Sequence, residues 1–105
     1  MSDYCIALCT CPDRDTAEQI ARTVVSEKLA ACVNILPGIT SVYAWQGEIC
    51  CDNEVQLIFK TRHRDADKLF NRVLMLHPYD VPEWLLLDVA DGGADYLKWI
   101  ASSLS

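Results

Sequence analysis

The chain has 105 residues, of which 51% are hydrophobic and 23% charged, and its formal net charge is −6. That size and balance fit one globular domain, residues 1–105, and exclude a disordered chain. The densest cationic stretch, Lys60-Thr61-Arg62-His63-Arg64, is followed by Asp65 and Asp67, so no nucleic acid and no anionic membrane surface is expected as a partner.

The start, Met1-Ser2-Asp3-Tyr4, has no basic leader, and Ile6-Ala7-Leu8 is too short for the core of a signal peptide. No run approaches the ~20 apolar residues that span a bilayer. A cytoplasmic location is expected, and with it six reduced thiols at Cys5, Cys9, Cys11, Cys32, Cys50 and Cys51 rather than a disulfide framework. Cys5 and Cys32 lie in apolar runs and read as small buried hydrophobes. No C-x-x-C occurs, and the neighbours Cys50 and Cys51 read as an oxidation-prone pair and a poor chelate.

Residues 4–10 are short and apolar with no helix start signal, which predicts a buried strand ended by Pro12 and Asp13. Ala17, Ile20, Ala21, Val24, Val25 and Leu29 then recur at helical spacing. They predict a helix from Asp13 or Asp15 to about Ala30, with Asp15 and Glu18 as a capping-box-like start. Residues 31–43 are apolar and β-branched, and Pro37-Gly38 within them predicts a bulge or bend. Gln46-Gly47 predicts a turn. Residues 54–61, where Val55, Leu57 and Phe59 alternate with Gln56, Ile58 and Lys60, complete a hairpin. Asp65 opens a second helix with Ala66, Leu69, Phe70, Val73 and Leu76 on one face. Residues 83–89 predict a fourth strand and Asp91-Gly92-Gly93 a turn. Ala94, Leu97, Ile100 and Leu104 form the inward face of a short last helix.

The order β-α-β-β-α-β with one extra C-terminal helix is that of a ferredoxin-like α+β fold, an antiparallel sheet with two helices on one face. Both faces of the first strand are apolar, Ile6 and Leu8 alternating with Cys5, Ala7 and Cys9. One short helix is too little to cover the second face, so a tight homo-oligomer is expected.

The segment Leu76-His77-Pro78-Tyr79-Asp80-Val81-Pro82-Glu83 follows the second helix. Pro78 pushes His77 out of the α region and holds its imidazole at a helix end, a position suited to metal or proton chemistry. The plainer reading of the same segment is a rigid connector.

The residues Ala30-Ala31-Cys32-Val33-Asn34-Ile35-Leu36-Pro37-Gly38-Ile39-Thr40-Ser41-Val42-Tyr43, then Trp45-Gln46-Gly47, Glu54-Val55, Lys60-Thr61, His77-Pro78-Tyr79, Val81-Pro82-Glu83 and Tyr96-Leu97-Lys98-Trp99, closely resemble the CutA divalent-cation-tolerance family. So does Leu8-Cys9-Thr10 followed by Pro12-Asp13. The resemblance covers nearly the whole chain in order. It implies a cytoplasmic homotrimer of ferredoxin-like subunits, similar to the nitrogen-regulatory PII proteins, with the sheets facing a common axis and the hairpin reaching into a neighbour. It also implies a link to copper and other divalent metal ions. The family's copper ligands map onto Cys9 and His77. Leu76 stands where some members carry a second histidine, and Cys11, on the same strand face as Cys9, is our own candidate to replace it.

Three functions follow from these residues. Cys9, Cys11 and His77 make a soft S/N donor set that favours copper or zinc over magnesium or calcium; the alternative is a core thiol and a backbone-bonded histidine. A PII-like signalling or small-molecule sensor trimer would instead use an inter-subunit cleft lined by Tyr43, Trp45, Lys60, Tyr79, Glu83 and Trp99, although Trp45 and Trp99 also suit plain interface packing. Catalysis by a Cys9–His77 pair lacks any recognisable orienting group or oxyanion site, so the protein is not expected to be an enzyme.

Overall fold

The computed structural model describes residues 2–105. Its elements are β1 (Tyr4–Cys11), α1 (Arg14–Ser26), β2 (Cys32–Trp45), β3 (Glu48–Arg62), a 3-10 turn (His63–Asp65), α2 (Ala66–Leu76), β4 (Leu85–Asp88) and α3 (Ala94–Ser103). The strands form one sheet in the order β2-β3-β1-β4. Each neighbouring pair is antiparallel, as the ferredoxin-like order requires.

The pleat of the two central strands decides which side holds the core. Cys5, Ala7, Cys9 and Cys11 of β1 and Val55, Leu57 and Phe59 of β3 are buried. Most of this set packs with Ala17, Ile20 and Val24 of α1 and Leu69 and Val73 of α2. Trp84 closes the same layer, its ring 4.9 Å from Phe70 and 5.4 Å from Phe59. The opposite face of the sheet is covered at one end only. There α3 places Ile100 and Leu104 with Ala31, Tyr4 and Leu97. Beyond α3 that face is open: Leu8 sits between Ile58 and Leu85 in register, and Ile6 beside Leu87.

The β2–β3 hairpin is much longer than its sequence signal. The second strand starts at Glu48, not near residue 54, because Gln46 (φ 49°) and Gly47 (φ 82°) form a two-residue turn between the paired Trp45 and Glu48. Two successive positive φ angles are the signature of a type I′ turn, which lets the ladder continue to the tip. The predicted irregularity at Pro37-Gly38 appears as a register shift between Leu36 and Ile39. Past it the arm is mostly solvent-exposed and helps stretch the subunit to 45 × 26 × 22 Å.

Several element ends differ from the sequence reading. Asp13, not Asp15, caps α1, accepting from the Thr16 N–H at 2.8 Å, while Glu18 pairs with Arg14. The helix stops at Ser26 rather than Ala30. Lys28 adopts φ 60°, and the N–H groups of Lys28 and Leu29 bond back to the carbonyls of Val25 and Val24, a Schellman closure with lysine where glycine is usual. β4 is shorter than residues 83–89, so Glu83 precedes the strand. Cys32 is half-buried rather than buried, and Ala94 is exposed.

Candidate functional site

β1 brings two thiols to one place by alternation. Cys9 and Cys11 are two residues apart, so both side chains point to the helix side, where each is fully buried. α2 delivers the third group. Its last residue is Leu76, and His77 at the C-cap is extended (φ −81°, ψ 137°), as Pro78 demands. The ligand atoms of Cys9, Cys11 and His77 all lie within 4.8 Å of one another.

The Cys9 thiol donates to the Thr10 carbonyl at 3.7 Å, and the Cys11 thiol lies beside it. The neighbouring Cys11 thiol, and then burial, raise the Cys9 thiol well above its ordinary range. The Cys9 side chain holds Cys11 below its ordinary value against the opposing effect of burial. Cys11 is therefore the first of the pair to become a thiolate. His77 is held from both sides: the Tyr79 N–H donates to Nδ1 at 3.1 Å, and Nε2 lies 2.7 Å from the Thr10 carbonyl. An accepting Nδ1 places the ring proton on Nε2, which donates to Thr10. A metal ion must displace at least one of these bonds. If it binds Nδ1, the Nε2–H···O=C bond remains to orient the ring, as is usual for ligating histidines. If it binds Nε2, the proton moves to Nδ1 and faces the Tyr79 N–H. Two thiols and an imidazole fit a soft or borderline ion, at the cost of one backbone hydrogen bond worth about 1 kcal/mol net.

The other face of β1 borders a cavity of about 500 Å³. Tyr43 and Trp45 from β2 and Tyr79 and Glu83 from the segment after α2 line it, together with Thr10, Glu54, Asp80 and Val81. Four of the six predicted cleft residues are thus brought together. Lys60 and Trp99 lie elsewhere: the Lys60 ammonium sits 5.7 Å from the ring centre of Tyr96, which stacks on Trp99. The cavity's Glu54 was not singled out from the sequence. Its signal was its spacing, because Glu54 and Gln56 share the strand parity that faces Thr10. The Tyr79 hydroxyl donates to Glu54 at 3.2 Å, and Gln56 donates to Glu83 at 3.2 Å. Burial, and then the Glu54 charge, push the Tyr79 phenol up to about 12. The same two causes, in the same order, raise the Glu83 carboxyl.

Fold and site together define a small ferredoxin-like protein with a buried thiol–imidazole cluster beside an aromatic and acidic cavity. The family model described as CutA1 divalent ion tolerance protein matches residues 5–103. A divalent-cation tolerance protein CutA of Yersinia pestis is 46% identical over 103 residues, covering 98% of this chain and 87% of that protein. The crystal structure of CutA from Xylella fastidiosa is 42% identical, covers 99% of this chain and 100% of its own, and superposes with a TM-score of 0.97. A CutA from Archaeoglobus fulgidus, described as a periplasmic divalent cation tolerance protein, is 32% identical. It covers 97% of this chain and 99% of its own, with a TM-score of 0.94. The chain belongs to the CutA1 divalent ion tolerance protein family.

Proposed function

We propose that this protein binds a copper ion, with zinc as the second choice, through Cys9, Cys11 and His77, and that it serves tolerance of divalent metals as a homotrimer and not as an enzyme. The observation that carries this reading is the convergence of three ligand atoms within 4.8 Å in a buried pocket. A catalytic pair is disfavoured because Cys9 is pushed up as a thiol rather than activated as a thiolate. The trimer rests on the open sheet face and on the exposed arm, where Val42 and Ile49 face solvent; a lone two-stranded hairpin is only marginally stable. Six free thiols suit a reducing compartment, so we place the protein in the cytoplasm. Cell fractionation tests that placement, and recovery from a periplasmic fraction would overturn it.

The test of the metal site is calorimetric titration of the reduced protein with Zn(II), and with Cu(I) under anaerobic conditions. One ion per subunit is expected, with affinity rising with pH because the thiols must lose their protons. That binding is expected to vanish in Cys9→Ser, Cys11→Ser and His77→Ala. Binding that survives all three would overturn the site.

The cavity supports a second reading, a PII-like sensor of a small molecule. Its volume, about 500 Å³, lies within the usual range of roughly 300–1,000 Å³ for small-molecule sites.

A further inference from the structure

Resting on that second reading, we infer that the cavity takes a small organic cation of the ammonium class, held between aromatic faces and carboxylates. Glu54, Asp80 and Glu83 line it, and among the described residues of the same subunit no lysine, arginine or histidine does. None of the four ion pairs among the described residues uses these carboxylates. The hydrogen bonds to Glu54 and Glu83 come from neutral donors, a phenol and an amide. A bound cation would therefore supply a countercharge that the subunit itself does not place there and offset the Glu54 repulsion that adds to burial in raising the Glu83 carboxyl.

The walls specify what kind of cation. Tyr43, Trp45 and Tyr79 bring three ring systems to the lining, and ring faces attract ammonium groups through their quadrupole. A bare metal ion is poorly served here. Among the described residues, the one set of three metal-ligating side chains whose ligand atoms lie within 4.8 Å of one another is Cys9, Cys11 and His77. The three carboxylates do not converge in that way. Dispersed charge around aromatic walls suits a cation with its charge spread over a methylated or alkyl surface.

The test is a titration of the purified assembly with choline and, separately, with 3,3-dimethyl-1-butanol, a neutral molecule of the same shape. Binding is followed by calorimetry and by the Trp45 indole N–H resonance, assigned with Trp45→Phe. Choline is expected to bind saturably, shift that resonance and outcompete the alcohol by about tenfold. In Glu54→Gln/Glu83→Gln, with assembly size and circular dichroism unchanged, choline is expected to bind no better than the alcohol. If the alcohol binds as tightly as choline to the parent protein, the cation inference fails and the small-molecule reading stands. If neither moves Trp45, both fail.

Discussion

Replacing Leu85 and Leu87 by lysine tests whether the open sheet face is where subunits meet. Both side chains lie on the face opposite the helices, in register with Leu8 and Ile6. In the isolated subunit they keep 54% and 49% of their surface exposed. Full burial of a leucine contributes about 1.5–3 kcal/mol, so covering the remaining half is worth about 1 kcal/mol each, or about 2 kcal/mol per subunit. Lysine removes that gain. It also sets an ammonium in the contact, at several kcal/mol per ion where the chain cannot snorkel to water. The penalty falls on every copy, so it exceeds what the leucines contribute and the assembly should come apart. The subunit itself should survive, because the helix-side core contains neither residue. Light scattering after size exclusion, with circular dichroism alongside, is expected to show a folded monomer at micromolar concentration in place of the trimer proposed for the parent. A variant that keeps the parent mass and stays folded would refute this use of the face.

Three further outcomes follow from single sites. Arg62 and Asp65 are nearly buried and 2.7 Å apart, so Asp65→Ala leaves the guanidinium without this counterion, holding the Ser105 carbonyl, and should cost about 3 kcal/mol in denaturant unfolding. Arg62→Met/Asp65→Leu should recover most of that loss; equal losses in both variants would count against the pair. Lys28→Gly relieves a left-handed φ of 60° worth about 1 kcal/mol and should raise Tm by a few degrees; no rise would mean that the strain is absent. Alkylation mapped by mass spectrometry should label exposed Cys51 first and buried Cys5, Cys9 and Cys11 last, burial having pushed the Cys5 thiol up to about 11. Fast labelling at Cys9 would revive the catalytic reading.

The topology was legible because the strands alternate cleanly. The parity of Val55, Leu57 and Phe59 places the core, and the structure buries all three, whereas the first strand, apolar on both faces, left its core side open until Cys5, Ala7 and Cys9 were found buried. The full reach of the hairpin was not legible. Residues 48–53, Glu-Ile-Cys-Cys-Asp-Asn, carry no sustained alternation, and their pairing is imposed by the two-residue turn at Gln46-Gly47. The end of α1 was obscured for a related reason: Leu29 continues the helical spacing, yet the chain has already turned at Lys28. At the site, the common face of Cys9 and Cys11 could be anticipated from parity and the helix-end position of His77 from Pro78, whereas their meeting was implied only by the family resemblance. The two backbone bonds that hold His77 could not be anticipated, since backbone carbonyls and N–H groups like those of Thr10 and Tyr79 are present all along the chain and only tertiary placement selects them.

Leu76 illustrates how packing and site chemistry are traded. It is the last residue of α2 and packs against the main core cluster, so a histidine there would bring a polar ring to the edge of an apolar layer and would need a partner of its own. Cys11 meets no such obstacle. It already faces inward at 0% exposure beside Cys9, and a thiol behaves as a small hydrophobe until it loses its proton. In the proposed metal site, a third donor on the strand rather than at the helix end leaves the core intact in the metal-free state. It also exchanges a nitrogen for a sulfur, which shifts the donor set toward softer ions. The same strand turns Thr10 outward between the two cysteines, so its carbonyl holds His77 while the residue lines the cavity. One turn of the pleat therefore separates the thiol cluster from the acidic, aromatic cavity.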